Sequence, residues 1–249
     1  MIKNLFFIVL SFMFLSFSPF SKKGVTIYMI GDSTMANKPL NDNPERGWGQ
    51  LFPQFFNENV KIENHAMNGR STKSFIDEGR WDSVFFKLKK GDYLFIQFGH
   101  NDEKVDKPNV YAEAHTTYKD NLIKFITESR SKGAIPILVT PVMRRRFDEK
   151  GVVVDTHGDY PAVVKEVAAL TKVPVIDLHE KSTKLLTDLG VEGSKLLFLH
   201  IAPGVYKSLP EGKKDDTHFS EFGATKIGAL VVAGIKEQNI ELKKYLKNE

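Results

Sequence analysis

Five short apolar runs, separated by helical patterns, constrain this sequence more than any other feature. Val25–Ile30 ends in Gly31, Val60–Asn64 is shorter, Tyr93–Phe98 ends in Gly99, Ile135–Val139 stops before Pro141, and Val173–Ile176 is the fifth. Continuous rather than alternating apolar character suits strands buried on both faces. Between the runs, Tyr118, Leu122, Phe125 and Ile126 recur at helical spacing and stop at Gly133. Pro161 opens a second helix with Val163, Val164, Val167 and Leu170 on one side, since a missing N–H costs nothing in a first turn. A last helix starts near Ser220 and turns Ala224, Ile227, Val231 and Ile235 inward. Such alternation predicts an α/β fold: a five-stranded parallel sheet with helices on both faces. The chain of 249 residues suits one such domain. In these sheets ligands bind beyond the carboxyl ends of the strands, so the chemistry is expected in the loops that follow them.

The first residues stand apart. Lys3 precedes an apolar run from Leu5 to Phe17, too short for a standard span of roughly 20 residues. A charged start, a short apolar stretch and small residues after it are expected of a secretory signal peptide over about residues 1–21, with a single domain over 22–249. A buried N-terminal helix or an uncleaved anchor is the alternative. The chain has no cysteine, which excludes disulfides, a cysteine nucleophile and a lipid-bearing cysteine. Export without disulfides points to a bacterial periplasm or exterior. The net charge of +4 is far from the cationic stripe of a nucleic-acid binder, and no nucleic-acid partner is expected. Nor is a membrane partner, once the leader is removed. Neither His-Glu-x-x-His nor a phosphate-loop motif occurs, so no metal, nucleotide or other cofactor is expected.

The loops after the runs carry a matched set of residues. Gly31-Asp32-Ser33-Thr34 follows the first, and a serine at a strand-to-helix turn exposes its hydroxyl near free N–H groups. Taken alone, Ser33 reads first as a helix N-cap. Gly69, after the second run, allows close backbone approach to a ligand; a plain turn explains it as well. Gly99-His100-Asn101-Asp102 follows the third, and the Asn101 amide could donate to a developing oxyanion or simply bond its own turn. Near the C-terminus, Asp215-Asp216-Thr217-His218 offers a base near neutral pH and, three residues earlier, a carboxylate to orient it. Asp216 is expected to point elsewhere. The case lies in the conjunction of four motifs on one edge of one sheet.

These four blocks resemble those of the SGNH (GDSL-type) hydrolases. Asn43–Gln50, Asn68–Phe75, Thr156–Pro161 and Asp215–Phe219 further resemble the rhamnogalacturonan acetylesterase branch. The resemblance implies a three-layer, flavodoxin-like fold and a serine esterase without cofactor. In it Ser33 is the nucleophile, His218 the base, Asp215 the orienting carboxylate, and Ser33, Gly69 and Asn101 hold the oxyanion. The implied substrate is acetylated pectic polysaccharide or oligosaccharide, acetylated rhamnogalacturonan first. An acetylxylan or lipid esterase of the same fold, or a retired polysaccharide-binding protein, are the alternatives. The polar and basic loop residues Lys38, Lys73, Arg144–Arg146, Lys213 and Lys214 speak against an apolar acyl channel.

Arg144-Arg145-Arg146 reads either as a solvated run or as a clamp for substrate carboxylates, with Arg144 and Arg145 the candidate contacts. His157 is a further candidate substrate contact. His65, His100 and His115 read as loop or surface residues, and Trp48 as packing beneath the first loop. Trp81 fits either packing or sugar stacking. Lys243–Glu249 reads as a solvated tail.

Overall fold

The computed structural model describes residues 24–247, so the expected leader lies outside the described residues. Strand β1 (Val25–Gly31) is followed by a short helix α1 (Trp48–Leu51), β2 (Val60–Asn64), α2 (Thr72–Asp77), α3 (Arg80–Phe85) and β3 (Tyr93–Gln97). Then come α4 (Lys119–Ser131), β4 (Ile135–Val139), α5 (Tyr160–Thr171), β5 (Val175–Ile176) and α6 (Leu178–Gly193). The chain ends with β6 (Phe198–Ile201), β7 (Lys213–Phe219) and α7 (Glu221–Glu237). The first five strands form one sheet in the order β2-β1-β3-β4-β5, with every pairing parallel. This is the flavodoxin-like order, with helices on both faces.

Period-two geometry sorts β1 between two cores. Ile27 and Met29 face one side with Phe95, Ile137, Trp48 and Phe52, closed by Ile227, Val231 and Ile235 of α7. Tyr28 and Ile30 face the other with Leu94, Ile96, Phe75 and Trp81, closed by α4 and α5. The expected inward residues of α7 are all buried, and the Ser220 hydroxyl caps its start by accepting from Gly223 N. Leu170 departs from expectation: Val163, Val164 and Val167 fill the core, whereas Leu170 is 64% exposed near the end of α5. The β2 run is likewise only half-buried, because it is an edge strand.

Two segments were not legible as elements. β6 and β7 pair antiparallel as a separate ribbon, and β7 reads Lys-Lys-Asp-Asp-Thr-His-Phe, which carries no apolar pattern. A tight helical turn over Glu241–Tyr245 runs into the segment expected as a solvated tail; Lys243, Lys244 and Lys247 are exposed there, while Leu246 pairs with Phe56. Trp81 packs against Phe85 and Phe125 and donates to Glu128, far from any sugar-stacking role. Among the described residues no helix is long and apolar enough to cross a membrane.

Candidate active site

Ser33 sits at the carboxyl end of β1 in a single turn, where Met35 N and Ala36 N return to the Asp32 carbonyl at 3.3 and 3.1 Å. No helix continues from that turn until Trp48, so Ser33 is not the N-cap that its position suggested. Its hydroxyl oxygen lies 2.9 Å from His218 Nε2. His218 Nδ1 lies 2.9 Å from Asp215 Oδ2. The other carboxylate oxygen, Oδ1, accepts from Thr217 N at 2.8 Å and His218 N at 2.9 Å, which folds Asp215 back onto the ring. Lys213 Nζ adds a cation 3.1 Å from Oδ2. Burial by itself would raise the Asp215 carboxyl; the hydrogen bonds from the His218 ring and backbone overcome it and hold the group well below the usual carboxylate range. An ionised carboxylate only accepts, so Nδ1 of His218 carries a proton and a neutral ring leaves Nε2 free to accept from Ser33.

Asp215 and His218 therefore do not lie in a loop after a strand of the parallel sheet, as expected. They lie on β7 of the ribbon, which brings them over the end of β1. Lys213 was named only as a basic loop residue; its pairing with Asp215 was not legible because the two share a face only once β7 is recognised as a strand. Asp216 points away as expected, toward Arg145 and His200.

The other two loops meet beside Ser33. Gly69 is exposed and adopts φ +75°; a Cβ there would meet nothing, so the backbone conformation, not space, calls for glycine. Gly99, at φ +147°, turns β3 toward the site, and a Cβ would come within 2.8 Å of Pro141. Asn101 accepts from Lys104 Nζ at 2.7 Å, which fixes its amide orientation, and donates one N–H to the Arg70 carbonyl at 3.0 Å. Its second amide N–H remains, and among the described residues the backbone N–H groups of Ser33 and Gly69 find no acceptor. A hydroxyl lined up with an imidazole and a carboxylate, beside uncommitted N–H donors, is what acyl transfer requires.

Beneath Ser33 a chain of hydrogen bonds links buried polar groups. Asp32 Oδ1 accepts from Thr34 N and Oγ1, Thr34 Oγ1 accepts from Gln97 Nε2, and Gln97 Oε1 accepts from Trp48 Nε1 at 2.7 Å. Trp48 thus lies under the first loop, as expected. His100, expected at the surface, is buried, with Nδ1 3.2 Å from Asp32 Oδ2. Burial pushes His100 down to about 4. Neutral His100 donates its Nδ1–H to Asp32 Oδ2 in a hydrogen bond. Burial opposes ionisation of Asp32 too, but His100 and Thr34 outweigh it and hold the carboxyl well below its ordinary range.

The proposed substrate contacts fare differently. His157 is 1% exposed and faces no cleft: Nδ1 lies 2.8 Å from Glu103 Oε2 and Nε2 lies 2.9 Å from the Val142 carbonyl. Arg145 is also buried, tied to Asp216 at 2.8 Å, Ser194 Oγ at 3.0 Å and the Val191 carbonyl at 2.6 Å. Both fasten the loop after β4 instead of facing solvent. Arg144 pairs with Glu103 and donates to the His100 carbonyl, one residue from Asn101. Arg146 is exposed. With Thr156 and Asp216 the three arginines line a cavity of about 490 Å³. Lys38, named among the basic loop residues, is buried against Glu45 and Asn68. Among the described residues no group of three or more His, Asp or Glu side chains converges where a metal ion could sit.

Residues 29–225 match the GDSL-like lipase/acylhydrolase family. The rhamnogalacturonan acetylesterase RhgT of Bacillus subtilis is 44% identical over 225 residues, which cover 90% of this chain and 95% of that protein. A second B. subtilis protein, the probable rhamnogalacturonan acetylesterase YesY, is 38% identical over 90% of this chain and 98% of its own. Among solved structures, the B. subtilis protein YxiM superposes with a TM-score of 0.74 at 28% identity; the match covers 88% of this chain and 58% of that one. An acetylxylan esterase from Geobacillus stearothermophilus shares the fold, with a TM-score of 0.61 at 17% identity over 92% of this chain and 100% of that one. The chain belongs to the GDSL-like lipase/acylhydrolase family and is a carboxylic ester hydrolase.

Proposed function

We propose that this chain removes acetyl groups from acetylated rhamnogalacturonan through an acyl-serine intermediate. The observation that carries the reading is the unbroken line from Ser33 Oγ through His218 to Asp215, with 2.9 Å at each step. Ser33 Oγ attacks the acetyl carbonyl carbon while its proton passes to His218 Nε2. The carbonyl oxygen becomes an oxyanion, held by the N–H groups of Ser33 and Gly69 and the second amide N–H of Asn101. His218 then protonates the departing sugar oxygen as the tetrahedral centre collapses to acetyl-Ser33. Water, deprotonated by His218, attacks that ester; Ser33 regains its proton and acetate leaves. Asp215 stays ionised and stabilises the imidazolium that forms twice in the cycle.

The substrate half of the proposal draws on the two B. subtilis relatives, whose names specify a polymer of an acidic sugar. The arginine-lined cavity beside Asp216 supports it, because guanidinium groups pair with carboxylates in bidentate geometry. There the exposed Arg146 is the contact we assign to substrate; Arg144 and Arg145 line the cavity but are committed to Glu103 and Asp216, and His157 supports the loop from behind. Export by the N-terminal leader belongs to the same proposal, since a plant polysaccharide is met outside the cell.

The test compares acetate release from acetylated rhamnogalacturonan and acetylated xylan, with Ser33→Ala as control. Release from the pectic polymer that vanishes in Ser33→Ala is the expected result. Equal release from both polymers would keep the serine esterase and discard the substrate assignment. Release that survives Ser33→Ala would overturn the mechanism.

A further inference from the structure

Asp102 has no task in the steps above, yet it is wholly buried one residue from Asn101. Its Oδ1 accepts two hydrogen bonds from a single residue, Thr72 N at 2.8 Å and Thr72 Oγ1 at 2.6 Å. Its Oδ2 has no partner among the described residues, and no cation pairs with it there. Behind it the Asp102 carbonyl accepts from Ala112 N and Tyr160 OH, each at 3.0 Å, so the residue is anchored on the protein side. Thr72 is anchored in turn by Asn121 of α4, whose amide donates to Thr72 Oγ1 at 3.0 Å. Burial pushes the Asp102 carboxyl up to about 7 against the two Thr72 hydrogen bonds. A buried carboxyl without a cation is a costly way to hold a loop, and this one holds the loop that bears Gly69.

The two loops have a geometric problem to solve. Gly69 follows β2 and Asn101 follows β3, and β1 lies between those strands in the sheet. Local chain geometry therefore does not set the distance between their N–H donors. Gly69 itself is exposed, with no side chain to anchor it. Two pins join the Gly99–Asp102 turn to the Gly69–Thr72 segment: Asn101 to the Arg70 carbonyl, and Asp102 to Thr72. We propose that Asp102 is a positioning residue, which through Thr72 sets the place of the Gly69 N–H relative to the Asn101 amide. The proposal rests on the reading of Gly69 and Asn101 as oxyanion donors. Such donors must lie within about 2.7–3.1 Å of the oxyanion. A shift of about 1 Å costs up to about a hundredfold in rate.

The experiment measures kcat and KM on an aryl acetate for Asp102→Leu, Asp102→Asn, Thr72→Val, Asn101→Ala and the double variant Asp102→Leu/Asn101→Ala. Asp102→Leu should lower kcat by about tenfold or more with KM within about twofold. Asp102→Asn keeps an acceptor for Thr72 and should restore kcat to within about threefold of the parent. Thr72→Val should lower kcat about threefold, through one of the same two bonds. The double variant should lose less than the product of its single losses, because the two residues act on one structure. Full multiplication of the two losses, or a folded Asp102→Leu with unchanged kcat, would overturn the proposal. Should Asp102→Leu fail to fold, Thr72→Val decides, and an unchanged kcat there overturns it. A loss below about threefold in Asn101→Ala would instead remove the oxyanion reading itself.

Discussion

Replacing Asp102 by Asn should make the stability of this protein less sensitive to alkali, by an amount that follows from the burial of one carboxyl. In the folded protein burial raises this group from 3.8 to about 7. Between those values the unfolded chain releases a proton that the folded chain keeps. The folded state then binds more protons, so stability falls as pH rises through this window, and the penalty is complete above about 7. Integrated from pH 5 to pH 8, the loss is about 2–3 kcal/mol, which Asn does not share. The neighbouring charges that act on Asp102 hold still over this range: Asp32 is kept well below the usual carboxylate range, while burial raises the Tyr118 and Tyr160 hydroxyls further. The assay is urea unfolding of parent and variant at pH 5 and pH 8. The quantity read is the change in the variant-minus-parent difference between the two pH values. The unpaired N–H groups that Asn brings cancel in that quantity, because they cost the same at both. The expected value is about 2–3 kcal/mol in favour of the variant at pH 8, or about 5–10 °C in Tm for a chain of this size. A change below about 1 kcal/mol, or one of opposite sign, would refute the reasoning.

Asp215→Asn should lower kcat about ten-thousandfold with little loss of fold. The amide oxygen keeps the Thr217 and His218 N–H groups, while the NH₂ faces Nδ1 and turns the Nε2 proton toward Ser33. A loss under tenfold would deny Asp215 its role. Asn101→Ala should cost about a hundredfold to a thousandfold in kcat on an aryl acetate, the usual size for one oxyanion donor. Arg145→Met should destabilise the protein by about 2 kcal/mol, since it strips a buried guanidinium from the half-exposed Asp216, Ser194 Oγ and the Val191 carbonyl. Arg146→Ala should leave unfolding unchanged and raise KM for the acidic polymer but not for a neutral aryl acetate. If the two arginine variants exchange these phenotypes, the assignment of Arg145 to the fold and Arg146 to the substrate is wrong.

The parallel sheet was legible because burial on both faces leaves a mark on every residue of a strand. Ile27 and Met29 serve one core, Tyr28 and Ile30 the other, so four successive positions of the run are large and apolar. The four motifs were legible because chemistry restricts residue type: acyl transfer by a serine draws on a hydroxyl, a base such as imidazole, an orienting carboxylate and close-approach donors. β7 was not legible. Its residues serve the site and the ribbon partner, and Lys213–His218 is entirely polar. His157 and Arg145 misled for a related reason. Each carries a side chain typical of a binding surface, and each is buried because a partner distant in sequence, Glu103 or Asp216, meets it there.

The fold class was legible in the sequence alone, and the resemblance of its loop motifs to the SGNH blocks named the candidate nucleophile, base, orienting carboxylate and oxyanion donors. The fold class follows from periodicity, and the motifs stand out by side-chain chemistry, which are properties of a residue and its near neighbours. Tertiary structure alone decided that the base arrives on an antiparallel ribbon, that His100 and His157 are interior groups, and that Asp102 pins the segment bearing Gly69. These depend on which polar atoms of distant segments meet away from water. Burial turns an ordinary histidine, arginine or aspartate into a structural one only when such a partner is present.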